Sequence, residues 1–181
     1  ECRSFPLVEM VFDPVANLVD YLIAPASVSA QIEQEAVALA ERTAEAYGLS
    51  GLLAVELFLT KSGELLINEV APRPHNSGHH TIESCITSQF EQHLRGVLNL
   101  PLGSTELLQP ALMLNILGEE GYQGETRYEG LDEVLALPGV FVHLYGKQTM
   151  RPYRKMGHVT IMAEDRDSLL AKAEKVKASL R

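Results

Sequence analysis

The sequence predicts a mixed α+β fold in which mainly antiparallel strands are flanked by helices. Short apolar runs of strand length recur along the chain, separated by turns that contain Gly or Pro. Two of these runs, 52–59 and 65–70, are close enough in sequence to form a hairpin. Other segments repeat apolar residues at helical spacing, and the clearest begins at Ser29 and stops at Gly48. Together these patterns indicate the α+β class.

Two further strands are predicted ahead of the first helix, within 5–12 and 18–24. The turn signal between them is Asp13-Pro14. The acidic residues of the first helix are interpreted as a solvated face. They are Glu33, Glu35, Glu41 and Glu45.

The hairpin brings two carboxylates together. Ser62-Gly63 is predicted to form a two-residue turn, which places Glu56 directly opposite Glu69. Two carboxylates that face each other in an apolar ladder repel, unless one is protonated or a cation lies between them. A hard divalent cation, Mg²⁺ first, is the simplest solution, and Asn68 can add an amide oxygen. The alternative is a register shifted by one residue, in which one Glu faces water.

Residues 68–79 concentrate polar groups directly after the second hairpin strand. They read Asn-Glu-Val-Ala-Pro-Arg-Pro-His-Asn-Ser-Gly-His. Pro72 and Pro74 restrict the backbone, and Gly78 is expected to permit a turn that other residues cannot form. The segment is therefore predicted to be a stiff polar loop.

A second helix is predicted to begin at the capping box 88–91. Its buried stripe is expected to contain Phe90, Leu94, Val97 and Leu98. The pattern breaks at 99–101, and we place a domain boundary there, which divides the chain into domains 1–101 and 102–181.

The second domain is predicted to be small and rich in β-structure. Strands are expected at 110–117, 140–145 and 158–162, with a short helix at 131–135. A last helix begins at about Asp167. Four cations fall between the second and third of these strands: Lys147, Arg151, Arg154 and Lys155. Glycines and a proline beside them favour a turn that presents cations to an anionic ligand, and a solvated basic loop is the alternative.

Composition limits the possible partners. With 181 residues, 46% of them hydrophobic, the chain is an ordinary globular protein. A formal net charge of −9 disfavours non-specific binding to nucleic acid or to an anionic membrane. Cys2 and Cys85 lack paired spacing, which indicates reduced thiols in a cytoplasmic protein. No apolar run approaches the roughly 18 residues of a membrane span.

Four blocks carry a resemblance to a known family. They are 54–58, 68–79, 87–95 and 154–160, and they closely resemble the 5-(carboxyamino)imidazole ribonucleotide synthases of the ATP-grasp superfamily. The resemblance implies that 1–101 is the C-terminal part of an ATP-grasp domain, followed by the small C-terminal domain of these enzymes. The chain opens without an initiator Met, so we expect it to be a piece of a longer protein. The resemblance implies that this piece is the C-terminal half of the enzyme, and that it is inactive alone because the lysine-bearing half of the nucleotide cleft has no counterpart in it.

The activity that this resemblance implies is ATP-dependent carboxylation in purine biosynthesis. ATP phosphorylates bicarbonate to carboxyphosphate, and the amine of aminoimidazole ribonucleotide captures the carboxyl group. The enzyme is a carbon–nitrogen ligase, historically grouped with the lyases as a carboxylase subunit. The implied cofactors are ATP and Mg²⁺, and the implied assembly is a homodimer.

The resemblance also implies roles for individual residues. Glu56 and Glu69 are assigned to the metal and, with Asn68, to the nucleotide. The catalytic pair is Arg73 and His75. The substrate-binding residues are Asn76 and Ser77 for the small anion, and Lys147 and Arg154 for the 5′-phosphate of the ribonucleotide. The roles of His79 and His80 are left open, and Tyr153 stands where family members often have Gly.

Two other functions are compatible with the sequence. The first is another ATP-grasp enzyme, such as a formate-dependent glycinamide ribonucleotide transformylase or a biotin carboxylase. The second is a non-catalytic oligomerisation or binding module, which would lose nothing when Glu56 and Glu69 are changed to Gln.

Overall fold

The computed structural model describes residues 1–13 and 18–180, so Pro14 of the predicted turn lies outside the described residues. The elements in chain order are β1 (Glu9–Phe12), β2 (Val19–Ala24), α1 (Ala30–Tyr47), β3 (Ala54–Leu59), β4 (Leu65–Ala71), α2 (Thr81–Ser84), α3 (Gln89–Val97), β5 (Ala111–Leu117), β6 (Gly124–Glu125), α4 (Leu131–Leu135), β7 (Val140–Leu144), β8 (Thr149–Met150), β9 (Lys155–Met162) and α5 (Arg166–Ser179). Antiparallel strand pairs with flanking helices confirm the predicted α+β class.

The described chain packs into two units. One contains Glu1–Glu9 and Pro25–Leu108, and the other contains the described residues between Met10 and Ala24 together with those from Gln109 onward. Strand β2 thus pairs with β5, in the sheet of the second unit. The domain limits proposed from the sequence, 1–101 and 102–181, stay a prediction.

Helix α1 of the first unit has the predicted ends. The side chain of Ser29 accepts a hydrogen bond from the backbone N–H of Ile32 at 3.3 Å. Gly48 adopts the left-handed conformation, with φ of 57°, and its N–H donates to carbonyls of the last turn.

Helix α3 begins as predicted but exposes the face that was predicted to be buried. Ser88 caps it by accepting from the N–H of Glu91 at 3.2 Å. Its apolar residues are exposed, from 40% for Phe90 to 58% for Leu94, as is Leu98 directly after the helix. Gln89 and Gln92 are buried instead. Hydrogen bonds explain this orientation, because these side-chain amides bind backbone groups of neighbouring loops.

The second unit is built on a five-stranded sheet with the order β1-β2-β5-β9-β7. Strands β5 and β9 carry its most continuously buried segments, and α4 and α5 pack against the sheet. The α5 residues Leu169, Ala173 and Val176 enter the core. Strands β5, β7 and β9 and helix α4 confirm the elements predicted there, although β9 begins at Lys155, three residues earlier than expected. Within the described ranges, every helix is too short or too polar to cross a membrane.

Candidate functional site

Strands β3 and β4 place Glu56 opposite Glu69, which confirms the predicted pairing. The prediction of a two-residue turn at Ser62-Gly63 was wrong. The N–H of Thr60 donates to the carbonyl of Glu64 at 2.9 Å, so the turn contains three residues and closes at Gly63, whose φ is 86°. The longer turn shifts the register by one residue near the loop.

A β-bulge restores the register before the two carboxylates. Leu57 pairs with Ile67, whereas Glu56 pairs with Glu69, so Asn68 is an extra residue in β4. The turn and the bulge shift the register in opposite directions, which is why the predicted pairing held. The side-chain N–H of Asn68 donates to Glu56 Oε2 at 3.2 Å and holds this carboxylate in place.

His75 completes a three-residue cluster with the carboxylates. Its Nε2 lies 3.7 Å from Glu56 Oε1 and 3.9 Å from Glu69 Oε1. The candidate ligand atoms of the three residues all lie within 4.8 Å of one another. The side chains of His75 and Glu56 are only 13% and 18% exposed, whereas Glu69 is 56% exposed. The cluster therefore has two sheltered groups and one carboxylate open to solvent.

The orientation of the His75 imidazole is set by a short 3₁₀ turn, Asn76–Gly78. The backbone N–H of Ser77 donates to Nδ1 at 3.4 Å, and the Ser77 hydroxyl lies 2.9 Å from the same atom. With Nδ1 engaged by Ser77, the Nε2 edge faces the two carboxylates. Ser77 thus fixes the orientation of the His75 ring in this structure.

Gln89 anchors the polar loop and was not identified from the sequence. Its amide oxygen accepts from the His75 N–H at 2.8 Å, and its amide nitrogen donates to the His75 carbonyl at 2.8 Å. The same nitrogen lies 2.8 Å from Nδ1 of His79. A Cβ on Gly78 would lie 2.6 Å from the Gln89 amide oxygen. Close packing against Gln89 therefore leaves little room for a side chain at position 78. The expectation that Gly78 permits a turn closed to other residues was wrong, because its φ is not positive.

Arg73 folds back on the local backbone, where its Nη1 donates to the carbonyl of the adjacent Pro74 at 3.1 Å. Its guanidinium is exposed. Asn76 opens the 3₁₀ turn, and its carbonyl accepts from the N–H of His79 at 3.2 Å. The structure thus joins His75 and Ser77 directly to the carboxylate cluster, and places Arg73 and Asn76 in the segment next to them.

The two histidines that follow have different environments. His79 stacks on Phe90, with ring centroids 5.6 Å apart. His80 is buried, and its Nδ1 lies 2.7 Å from the hydroxyl of Ser84. Burial, and to a smaller extent the neighbouring His79, lowers the pKa of His80 to about 4. His80 is therefore neutral at physiological pH and packs inside the first unit.

The basic segment of the second unit contains a β-turn, Arg151–Arg154. The N–H of Arg154 donates to the carbonyl of Arg151 at 3.1 Å. Pro152 occupies the second position and Tyr153 the third, where φ is 59°. This combination is a type II turn, in which the third residue is usually Gly. The conformation explains why Gly suits the position of Tyr153.

Two cations tie the segment 147–155 together. Lys147 Nζ donates to the carbonyl of Lys155, and Arg154 Nη1 donates to the carbonyl of Thr149 at 2.7 Å. Lys147 lies at the start of the segment and binds the backbone at its end, and Arg154 lies near the end and binds the backbone near the start. Both residues are partly exposed, and each has further N–H donors besides the one that binds the backbone.

Comparisons with known proteins identify the family. The profile of the ATP-grasp domain matches residues 1–90, and that of the phosphoribosylaminoimidazole carboxylase C-terminal domain matches residues 111–172. The N5-carboxyaminoimidazole ribonucleotide synthase of Bacillus subtilis is 47% identical over 167 residues, which cover 92% of this chain and 42% of the relative. This chain belongs to the N5-carboxyaminoimidazole ribonucleotide synthase family.

Solved structures of the same family have the same fold. The synthetase from Thermotoga maritima is 51% identical, with a TM-score of 0.90, over 98% of this chain and 47% of that chain. The synthase from Aspergillus clavatus, in complex with ADP and 5-aminoimidazole ribonucleotide, is 35% identical, with a TM-score of 0.85, over 96% of this chain and 46% of that chain. The chain thus spans less than half the length of each of these relatives.

The candidate residues fall within both parts of the family match. Glu56, Glu69 and His75 lie in the part that matches the ATP-grasp domain. Lys147 and Arg154 lie in the part that matches the C-terminal domain of the carboxylases. The carboxylate cluster and the basic turn thus belong to different domains of one enzyme family.

Proposed function

We propose that the full-length protein carboxylates 5-aminoimidazole ribonucleotide, using ATP and bicarbonate, in purine biosynthesis. The observation that carries this proposal is the cluster of Glu56, Glu69 and His75, held at a hairpin bulge within a chain of this family. The products are 5-(carboxyamino)imidazole ribonucleotide, ADP and phosphate. The protein is then a carbon–nitrogen ligase, and its historical grouping with the lyases reflects the carboxylase name.

The donor set at the hairpin fits Mg²⁺. Two carboxylates face each other across the strands, and the exposed Glu69 leaves one side open to solvent and to a phosphate. Mg²⁺ in nucleotide sites is commonly held by one or two carboxylates together with phosphate oxygens. Glu56 and Glu69 would hold the ion, and Asn68 would keep Glu56 in place or contact the nucleotide. The ion would neutralise charge on the phosphoryl group as it moves.

In the first step, an oxygen of bicarbonate attacks the γ-phosphorus of ATP and ADP leaves, which gives carboxyphosphate. Arg73 and His75 are proposed as the catalytic residues, because a guanidinium fork and an imidazole can bind the planar carboxyl group during this transfer. Asn76 and Ser77 are proposed to bind the same small anion. Ser77 also holds the ring of His75, so its loss affects both binding and orientation.

In the second step, the exocyclic amine of the ribonucleotide attacks the carboxyl carbon of carboxyphosphate or of the CO₂ it releases. A C–N bond forms, phosphate leaves and the nitrogen loses a proton. Lys147 and Arg154 are proposed to bind the 5′-phosphate of the ribonucleotide. Their support is the turn that concentrates cations in a chain of net charge −9.

The test is an assay of the full-length protein with ATP and bicarbonate. Release of ADP that depends on 5-aminoimidazole ribonucleotide, with formation of the carboxyamino product, supports the proposal. Turnover with formate and glycinamide ribonucleotide, or with biotin, would instead identify one of the related ATP-grasp enzymes. No turnover in any of these assays, with normal folding, would favour a binding module.

We also propose that the protein is a cytoplasmic homodimer. The support for a second copy is the exposed apolar face that Phe90, Leu94 and Val97 of α3 form with the capping residue Leu98. Free Cys2 and Cys85 are compatible with a reducing compartment. Sedimentation equilibrium of the full-length protein tests the assembly, with Leu94→Glu as the disrupting variant. A monomeric wild-type protein would contradict the proposal.

A further inference from the structure

A second group of aromatic and titratable side chains lies next to the basic segment 147–155. Residues His143 of β7 and His158 of β9 are paired in the sheet, and their rings stack with centroids 4.4 Å apart and an interplanar angle of 13°. Tyr145 follows β7, and its hydroxyl lies 3.0 Å from Nδ1 of His158. Its ring is tilted against His158, with centroids 5.8 Å apart. Three rings thus form one contiguous group.

This group is connected to a cation of the basic segment. Lys147 Nζ lies 5.6 Å from the centroid of the Tyr145 ring, which is within the range of a cation–π contact. The same ammonium donates to the carbonyl of Lys155. Since the face of Tyr145 supports Lys147 from one side and a carbonyl holds it on another, the long side chain has fewer positions available to it.

The base of this arrangement is rigid. His158 is 3% exposed and stands in the most continuously buried strand of the sheet. A Cβ on the preceding Gly157 would lie 2.4 Å from the carbonyl of His143, so β7 and β9 approach too closely there for a larger residue. Burial also raises the pKa of Tyr145, which keeps its hydroxyl protonated at neutral pH.

We propose that Tyr145, held by His158, is a positioning residue that orients Lys147 toward the phosphate of the ribonucleotide. This inference rests on the proposed role of Lys147. An ammonium on a four-carbon stem loses much side-chain entropy when it binds a fixed anion. A ring that restricts the stem before the ligand arrives reduces this loss and increases affinity. Tyr145 acts through Lys147 and does not touch the phosphate.

The experiment compares KM for 5-aminoimidazole ribonucleotide with KM for ATP in the full-length enzyme. Tyr145→Phe keeps the ring and removes its hydrogen bond, and Tyr145→Leu also removes the ring face. We expect the ribonucleotide KM to rise roughly fivefold in Tyr145→Leu, which loses the whole exposed cation–π contact, and only about twofold in Tyr145→Phe, whose ring remains but is less firmly held. The KM for ATP should stay unchanged. Tyr128→Phe is the matched control, because the Tyr128 hydroxyl donates to the backbone carbonyl of Met156.

A double-mutant cycle with Lys147→Ala separates positioning from a general structural role. Positioning predicts that Tyr145→Phe has no further effect on the ribonucleotide KM once Lys147 is gone. An equal effect in both backgrounds would overturn the inference, as would a normal KM in both Tyr145 variants when Lys147→Ala raises it. A normal KM in Lys147→Ala itself would instead refute the phosphate role of Lys147 on which the inference rests. Tyr145→Phe alone decides the cycle if Tyr145→Leu does not fold.

Discussion

Glu56 and Glu69 face each other across the β3–β4 hairpin, at the point where Asn68 adds one residue to the second strand. Like charges at directly opposed positions destabilise a ladder, so the pair requires local compensation. The side-chain N–H of Asn68 donates to Glu56 Oε2 at 3.2 Å, and His75 Nε2 lies 3.7 Å from Glu56 Oε1 without a hydrogen bond. The proposed cation would supply the remaining compensation.

Substitutions in the basic turn should affect ribonucleotide binding, whereas substitutions in the carboxylate cluster should affect ATP cleavage. In the full-length enzyme, Arg154→Ala is expected to weaken ribonucleotide binding by about 1.5–3 kcal/mol, since it removes one charge-assisted hydrogen bond to the phosphate. The KM for the ribonucleotide should therefore rise far more than the KM for ATP. Steady-state titration of each substrate at saturating levels of the other measures both. Arg151→Ala is the control for loss of charge in the same turn, and equal effects on both constants would contradict the assignment.

Gly78→Ala should destabilise the polar loop. The new Cβ would lie 2.6 Å from the amide oxygen of Gln89, which holds the backbone of His75. Overpacking of this kind costs roughly 1–3 kcal/mol. In a Gln89→Ala background the clash is absent, so the same substitution should cost less. Denaturant unfolding of the four proteins in the cycle measures this coupling, and additive free energies would show that the contact is not responsible.

The stability of the fold should depend on His80 at low pH. Its pKa in the folded protein is about 4, below the ordinary value of 6.5. Between these values the unfolded chain binds a proton that the folded chain excludes, so the free energy of unfolding falls as the pH falls. The loss is on the order of 3 kcal/mol for one such group. Urea unfolding from pH 7 to pH 4 should show this loss in the wild type but not in His80→Phe, and parallel curves would contradict it.

Tyr153→Gly is expected to be more stable than Tyr153→Ala by about 1 kcal/mol, because a side chain disfavours the left-handed conformation. At most positions the order is reversed, since Gly loses more backbone entropy on folding. The φ of 59° at Tyr153 predicts the exception. Thermal unfolding of the two variants under the same conditions tests this order. An Ala variant as stable as the Gly variant, or more stable, would contradict it.

Local signals explain which parts of the fold were predictable. The caps of α1 and the limits of α4 follow from nearby residues, and both were confirmed. The buried face of α3 was not predictable in this way, because two glutamines form hydrogen bonds with loops distant in sequence. Periodicity shows that a helix has two faces but does not show which one the rest of the protein covers.

The same distinction applies to the site. The polar segment 68–79 was recognisable because its residues are consecutive. The approach of His75 to the carboxylates depends on a 3₁₀ turn and on Gln89, fourteen residues away, and no spacing rule predicts such a contact. The roles of these residues in substrate binding and catalysis stay predictions.

The most direct test of the carboxylate site is the ATP cleavage that depends on Mg²⁺ and ribonucleotide in three full-length variants. Glu56→Gln and Glu69→Gln each remove charge from the site with little change in volume, and Glu64→Gln makes the same change in the exposed turn of the same hairpin. We predict that the first two lose most of this activity with no loss of thermal stability, and that Glu64→Gln retains it. Near-normal turnover in both Glu56→Gln and Glu69→Gln would contradict a cation site at this pair.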